Sequence, residues 1–443
     1  MADITSGRAR RMLSVGRLTT AVGGSYLWEA LKRPFQSASR TEETLLAAHI
    51  RNAERVVAGS KELRGAFMKL VQMLSMRDDL LPAEALEALA VVQSSVPPMP
   101  WERVRVVLAE ELGGPPEERF RRFEREAFAA ASLGQVHRAE LEDGRPVAVK
   151  VQYPGVAATV HQDVKNVKAL LRVLTGIARD VMRQDVDPGE VAAELEARLH
   201  EELDYLHEAA NLERFRKLLA SDPEVVIPRV HRALSTRRVL TMDYVEGYPI
   251  QDILAPGVDR EIKDWVAVKL FTLLWRQVME FGVLHTDPHP GNYLVTHHPR
   301  LGILDFGSVR VFEPAIRRAY RAFGEALVAH DDAGIAAACV ALGFIAPDAD
   351  PRPLVRLVHL VCEPLERDAP FDPRDYDVME RMRQVTQLVL EHSLFRTPGH
   401  QVFLFRALIG VDAYLKALGT VRNWHRLFRD VVAAAAESPA RRR

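Results

Sequence analysis

The stretch that most constrains this chain runs from residue 285 to 307 and reads HTDPHPGNYLVTHHPRLGILDFG. Within it Asp287 and Asn292 stand as D-x-x-x-x-N, and Asp305-Phe306-Gly307 follows after the apolar run Leu301 to Leu304. Phosphoryl transfer asks for one carboxylate near the attacking oxygen, plus a carboxylate and an amide oxygen that hold magnesium against phosphates. Asp287, Asp305 and Asn292 offer those three groups. The residues Tyr293 to Val295 and Leu301 to Leu304 are expected to form two short strands around the polar turn Thr296 to Arg300. That hairpin would fix both metal ligands, Asn292 and Asp305, on one rigid element. His285 is expected to brace the backbone rather than carry protons.

At 443 residues the chain exceeds one ordinary core, so two lobes with a helical extension are expected. Lys plus Arg number 59 against 60 Asp plus Glu, a near neutrality that excludes a general nucleic-acid binder. Cys339 and Cys362 are too few for a disulfide framework, and neither has a second Cys nearby at metal spacing. A reducing, cytoplasmic setting fits them, both as ordinary buried thiols. No apolar run reaches the eighteen or so residues that span a bilayer. The segment Trp265 to Val283 carries Lys269, Arg276 and Glu280 and so reads as a buried core helix. Residues 1–40 hold seven Lys or Arg against two acids, with Leu13, Leu18, Val22, Tyr26 and Trp28 among them, and lack a signal-peptide cleavage pattern. Two readings of this arm stay open: a basic amphipathic segment lying on an anionic membrane surface, or a frayed or self-docking helix.

From Thr41 to Ala90 the pattern is helical and includes Lys69 and Gln72; Val96 to Pro100 then forms a rigid linker. Trp101 to Leu112 reads as a helix closed by Gly113-Gly114. Past Pro115-Pro116 the period turns strand-like. Phe128 to Ala139 gives a strand, a small-residue turn and a second strand, Asp143-Gly144 a hairpin turn, and Pro146 to Val151 a third strand. Lys150, in Val-Ala-Val-Lys, is placed as the lysine that holds nucleotide phosphates. Its orienting carboxylate is expected to be Glu208, from the run Glu201 to Glu208. If that run is one helix, Asp204 and Glu208 share a face and need Lys150 or a metal ion between them; a solvated acidic face is the bland alternative. Helix-like sequence, Gln162 to Met182 and Pro188 to His200, separates strand from helix as an insertion. Val225 to Val230 and Arg238 to Val245 read as further strands completing a five-stranded small lobe. Met242 to Gly247 is then the hinge, with Val245 offering backbone groups to adenine. Beyond Gly307 the chain reads as helical from Pro314 to about Ala436, and no Ala-Pro-Glu supplies a peptide platform.

The motifs KLVQ at 69–72, AAASLGQVH at 129–137, VAVKVQYPGV at 147–156, ELDYLHEA at 202–209, HTDPHPGN at 285–292 and LDFG at 304–307 occur in that order. The set resembles the UbiB/AarF family of atypical kinases, most of all its soluble, coenzyme-Q-kinase-type branch, over roughly Gly65 to Leu418. The resemblance implies an α+β, atypical protein-kinase-like bilobal fold with an N-terminal helical extension and a mostly helical C-lobe. By position, Ala129, Ala130, Ala131 and Ser132 match the alanine-rich nucleotide loop, Lys150 the phosphate lysine and Glu208 its partner. Glu202 and Asp204 match the family's ExD. Lys69 and Gln72 match its KxGQ, on a helix that crosses the active site and closes it to protein substrates. The implied cofactors are ATP or ADP and magnesium. The implied role is weak ATPase or kinase chemistry supporting ubiquinone or other isoprenoid-lipid metabolism, with an isoprenoid lipid or phenolic quinone precursor as partner. Two features depart from the pattern: Val71 stands where the KxGQ motif has glycine, and the C-terminal pair of membrane spans of some bacterial members is missing. Membrane contact is therefore expected to be peripheral, at the inner face.

Four segments follow from this: the basic arm 1–40, a helical extension 41–115, an N-lobe 116–247 with its insertion, and a helical C-lobe 248–443. Rival functions are a small-molecule phosphotransferase of the aminoglycoside or choline kinase type, and a nucleotide-gated scaffold. Oligomeric state is left open.

Overall fold

The computed structural model describes residues 99–131, 133–157, 188–376, 381 and 399–437. The basic arm, Lys69, Val71, Gln72, Ser132 and the insert from Gln162 to Met182 lie outside the described residues. The described chain falls into two compact units: one takes the residues up to Ala209 with Val230–Tyr244, the other Ala210–Arg229 with Val245 onward.

In the first unit, helix α1 (Trp101–Leu112) begins after the proline linker and ends at Gly113, whose φ of 69° is the left-handed turn glycine tolerates. Strands β1 (Arg122–Ala131), β2 (Gly134–Glu140) and β3 (Pro146–Gln152) follow as two antiparallel hairpins. Next come helices α2 (Pro188–Glu202) and α3 (Tyr205–Leu218). Strand β4 (Val225–Val226), which pairs in the second unit, and β5 (Val239–Asp243) complete this stretch. The sheet order is β1-β2-β3-β5. Val104, Val107 and Leu108, spaced to share one face of α1, pack on Val147, Val149 and Val151 of β3 and Val239 of β5. Fully burying such a side chain is worth about 1.5–3 kcal/mol, so β3 is firmly held. Because side chains alternate along a strand, Lys150 and Gln152 point to the face opposite α1.

Three expectations need correction. The small-lobe sheet has four strands among the described residues, because Val225 to Val230 does not stay one strand. Pro228 lacks the N–H a ladder needs; Val225–Val226 pairs parallel with Leu301–Gly302, while Val230 makes only an isolated bridge to Met242. The alanine-rich segment is not a loop: Ala129, Ala130 and Ala131 are the end of β1, paired with Val136, Gln135 and Gly134, after irregular register between Phe123 and Ala129. Finally, Glu201 to Glu208 is not one helix. The chain breaks at Leu203-Asp204, and Asp204 caps α3 by accepting from the Leu206 N–H at 3.0 Å. Asp204 and Glu208 therefore do not share a helix face.

Gly134 has no room for a side chain: a Cβ there would stand 2.2 Å from the Val151 carbonyl oxygen and 2.9 Å from the Tyr205 hydroxyl. The polar residues of the same motif have structural partners. Gln135 accepts from the Met99 N–H at 2.6 Å and its amide meets the buried His137 ring, tying the entry to α1 onto β2.

The second unit contains strand β6 (Tyr248–Pro249), helices α4 (Ile250–Leu254) and α5 (Arg260–Arg276), then β7 (Val283–His285), β8 (Tyr293–Val295), β9 (Leu301–Ile303) and β10 (Val309–Val311). Helices α6 (Pro314–Val328), α7 (Asp332–Ala341), α8 (Arg352–Glu366), α9 (Gly399–Leu418) and α10 (Trp424–Glu437) complete it. The small sheet runs β4-β9-β8-β6, and β7 pairs with β10. The expected hairpin forms: Tyr293 faces Ile303, and the Thr296 N–H donates to the Arg300 carbonyl across the turn. The segment read as a buried core helix is α5 plus one wider turn from Gln277 to Phe281. Its aromatic residues pack on α10, Phe271 against Trp424 and Trp275 against Phe428, with ring centroids 5.0 and 4.9 Å apart. Cys339 is buried and Cys362 half-buried, and burial pushes both thiols up, Cys339 to about 12. No helix among the described residues is long and apolar enough to cross a membrane.

Candidate active site

In the first unit, Lys150 Nζ lies 2.8 and 2.9 Å from the two carboxylate oxygens of Glu208, and the two residues are 6% and 3% exposed. Two charges so far out of water stay in place only when paired this closely. The geometry comes from the break before α3. Gln152, two positions along β3 from Lys150, donates to the Leu203 carbonyl at 2.7 Å and so pins the chain where α3 starts. Asp204 then caps the helix, and Glu208 follows one turn later. The Tyr205 ring lies under Lys150, with Nζ 5.3 Å from its centroid. Glu202, at the end of α2, and Asp204 are both half-buried, and Asp204 sits 3.9 Å from Arg237. Ala129 and Ala130 are exposed at the end of β1, and Ala131 is half-buried.

In the second unit the loop from His285 to Asn292 is pinned at several points. The π-type turn of α5 aims Gln277 so that its side chain accepts the His285 N–H at 2.7 Å. The Thr286 N–H donates to Ser308 O, and Leu304 N–H donates to Asn292 O at 2.9 Å, closing the loop against the segment around Asp305. Asn292 donates through Nδ2 to the Asp287 carbonyl at 3.0 Å and to its carboxylate at 3.1 Å. This fixes which end of the amide is which: nitrogen toward Asp287, oxygen left as the acceptor that a cation would use. The Asp305 carboxylate accepts the Gly307 N–H at 2.9 Å, shaping the turn that carries it. A carboxylate plus an amide oxygen, both hard donors, suit magnesium, which takes one or two carboxylates together with phosphate oxygens.

Phe306 is fully buried, with Phe215 at 4.5 Å and His285 at 5.2 Å between ring centroids, while Asn211 donates to its carbonyl at 3.1 Å. His285 shares a hydrogen bond with the Tyr293 hydroxyl at 3.2 Å. Burial lowers its pKa, opposed by the charges of Asp287 and Asp305. The neutral ring thus packs and braces, in line with the sequence expectation. Val245, half-buried, is the first residue of the second unit after the crossing from Tyr244.

Sequence reasoning missed Gln152, Asn211, Gln277 and, on α9, Arg406, Gly410 and Tyr414. Arg406 Nη2 is 2.8 Å from Asp287 Oδ1, and the Tyr414 hydroxyl donates to the Pro288 carbonyl at 2.7 Å. A signal existed: Arg406 is the lone charge in the apolar run Phe403 to Gly410, and a charge there needs a partner.

The ABC1 atypical kinase-like domain matches residues 91–339, more than half of the chain. The chain belongs to the ABC1 atypical kinase-like family. Similar proteins include the mitochondrial atypical kinase coq-8 of Caenorhabditis elegans, 32% identical over 94% of this chain and 56% of its own length. The mitochondrial atypical kinase COQ8B of Rattus norvegicus is 32% identical over 92% of this chain and 77% of its own. For COQ8 of Saccharomyces cerevisiae the figures are 29%, 98% and 86%. Among solved structures, that of Rv3197 from Mycobacterium tuberculosis, in complex with erythromycin, is 28% identical with a TM-score of 0.59, covering 85% of this chain and 94% of that one. The chain thus spans only about half of the nematode relative. As an ABC1 atypical kinase-like protein it has the kinase-like mixture of helices and sheets that its motifs implied, and the resemblance to UbiB/AarF proteins holds.

Proposed function

We propose that the chain is an ATP-dependent phosphotransferase or ATPase that binds ATP or ADP with magnesium. In this reading Lys150, oriented by Glu208, engages the nucleotide phosphates, and Ala129 to Ser132 cover them. Val245 meets the base through its backbone, Asn292 and Asp305 hold the metal, and Asp287 accepts the proton of the attacking hydroxyl or water. When bound, magnesium would neutralise phosphate charge. The observation that carries the proposal is the buried, doubly bonded Lys150–Glu208 pair, because a lysine so placed on a central strand has no structural need of its charge. Asp305→Asn should remove magnesium-dependent nucleotide binding while leaving the fold intact. The check is thermal shift with Mg-ATP, and an unchanged shift in the variant would remove the metal assignment. Family membership favours this reading over an aminoglycoside or choline kinase type of enzyme, and Asp287, Asn292, Asp305 and Lys150 speak against a scaffold without turnover.

Occlusion against protein substrates by Lys69 and Gln72, facing Glu202 and Asp204, is part of the same proposal and rests on the sequence signature. Support for work on an isoprenoid lipid or phenolic quinone precursor comes from the kinship with the COQ8 proteins. The basic arm suggests a peripheral place at the inner face of an anionic membrane. Deleting residues 1–40 should weaken flotation with anionic vesicles, as should raised salt in the intact chain; equal flotation of both proteins would end the case for the arm.

A further inference from the structure

The loop HTDPHPGN contains no Lys or Arg, yet Asp287 has a cation beside it, brought from α9. Arg406 Nη2 stands 2.8 Å from Oδ1, and both side chains are 22% exposed. The same helix meets the loop at two further points. A Cβ on Gly410 would come within 2.1 Å of the Pro288 ring, so only glycine lets the helix pass this close, and Tyr414 donates to the Pro288 carbonyl at 2.7 Å. Positions 406, 410 and 414 follow one another at four-residue steps, so charge, close approach and hydrogen bond form one stripe on one face of α9. On the far side of the carboxylate, Asn292 Nδ2 holds Oδ2 at 3.1 Å. One oxygen is thus tied to Arg406 and the other to Asn292, which stops the carboxylate from rotating.

We propose that Arg406 is the positioning residue of Asp287, with α9 acting as the rigid back wall of the catalytic loop. The proposal rests on the phosphotransferase reading above and deepens it. In this reading Arg406 acts through Asp287, supplying from α9 the positive charge that the loop lacks. A small error in the angle of a proton acceptor slows chemistry far more than it weakens binding.

The test uses the full chain, with phosphate release measured across Mg-ATP concentrations and nucleotide affinity measured separately. Arg406→Met should lower kcat by about a hundredfold while KM and the Kd for Mg-ATP stay within about twofold. Arg406→Lys, which keeps a cation able to make the single contact, should recover most of the loss. If the methionine variant does not fold, Arg406→Gln carries the same expectation. Turnover unchanged in these variants overturns the proposal. So does a loss that the lysine variant fails to restore and that falls equally on kcat and nucleotide affinity, since that pattern marks mere structural support. Absence of magnesium-dependent nucleotide binding in the unmodified chain would instead overturn the phosphotransferase reading itself, and this proposal with it.

Discussion

Asp287→Asn should leave Mg-ATP binding nearly unchanged and lower kcat by roughly 10²–10⁴-fold, the range that a positioned general base contributes. The substitution is nearly isosteric, and an amide oxygen can still accept from Asn292 Nδ2, which now bonds both the carbonyl and the carboxylate of Asp287 at 3.0 and 3.1 Å. The loop is also held by groups the substitution does not touch: Gln277 on the His285 N–H, Ser308 on Thr286, and Tyr414 on Pro288. What disappears is the ability to take a proton and the charge that meets Arg406. Because the proton moves only as the transition state forms, the loss belongs to kcat rather than to affinity. Single-turnover phosphate release beside thermal shift with Mg-ATP separates the two. A variant that turned over within about threefold of the unmodified chain would remove Asp287 from the role of base.

Much of this was readable before any coordinates. The pairing of Tyr293–Val295 with Leu301–Ile303 follows from an apolar alternation broken by a polar turn, and short local hairpins are what such patterns specify. Helix α1 was equally plain, since a proline linker and a Gly-Gly pair mark both its ends. Lys150 and Glu208, far apart in the chain, were paired by motif alone and do meet. The sequence misled where short-range pattern and tertiary pairing compete. Val225 to Val230 looks like one strand, but its partners lie in two sheets with Pro228 between them. The acidic run at 201–208 looks like one helix, whereas Asp204 makes a better cap than an interior residue. The support around the loop left almost no local trace. Gln277 and Arg406 matter because of what the fold brings to them, and only for Arg406 does isolation among apolar neighbours hint at it.

The other large effect is expected at the Lys150–Glu208 pair, and it separates stability from function. Lys150→Met removes the counter-charge 2.8 Å from a carboxylate that is 3% exposed. Breaking a buried pair from one side costs about 3–5 kcal/mol, so the thermal midpoint of a chain of 443 residues should fall by about 3–5 °C. Replacing both partners with apolar side chains of similar volume is commonly neutral or stabilising. The double variant Lys150→Met with Glu208→Leu should therefore regain most of the lost stability. The strand itself does not depend on the pair: Val149 and Val151 pack on α1 from the opposite face, and Gln152 still pins the start of α3 through Leu203. Turnover should not return with stability, because neither substituted side chain can hold phosphate. Thermal melts and phosphate release on the same three proteins decide both halves. If the single and double variants melt equally low, desolvation of Glu208 is not the cost; if the double variant turns over like the unmodified chain, Lys150 is not the phosphate lysine.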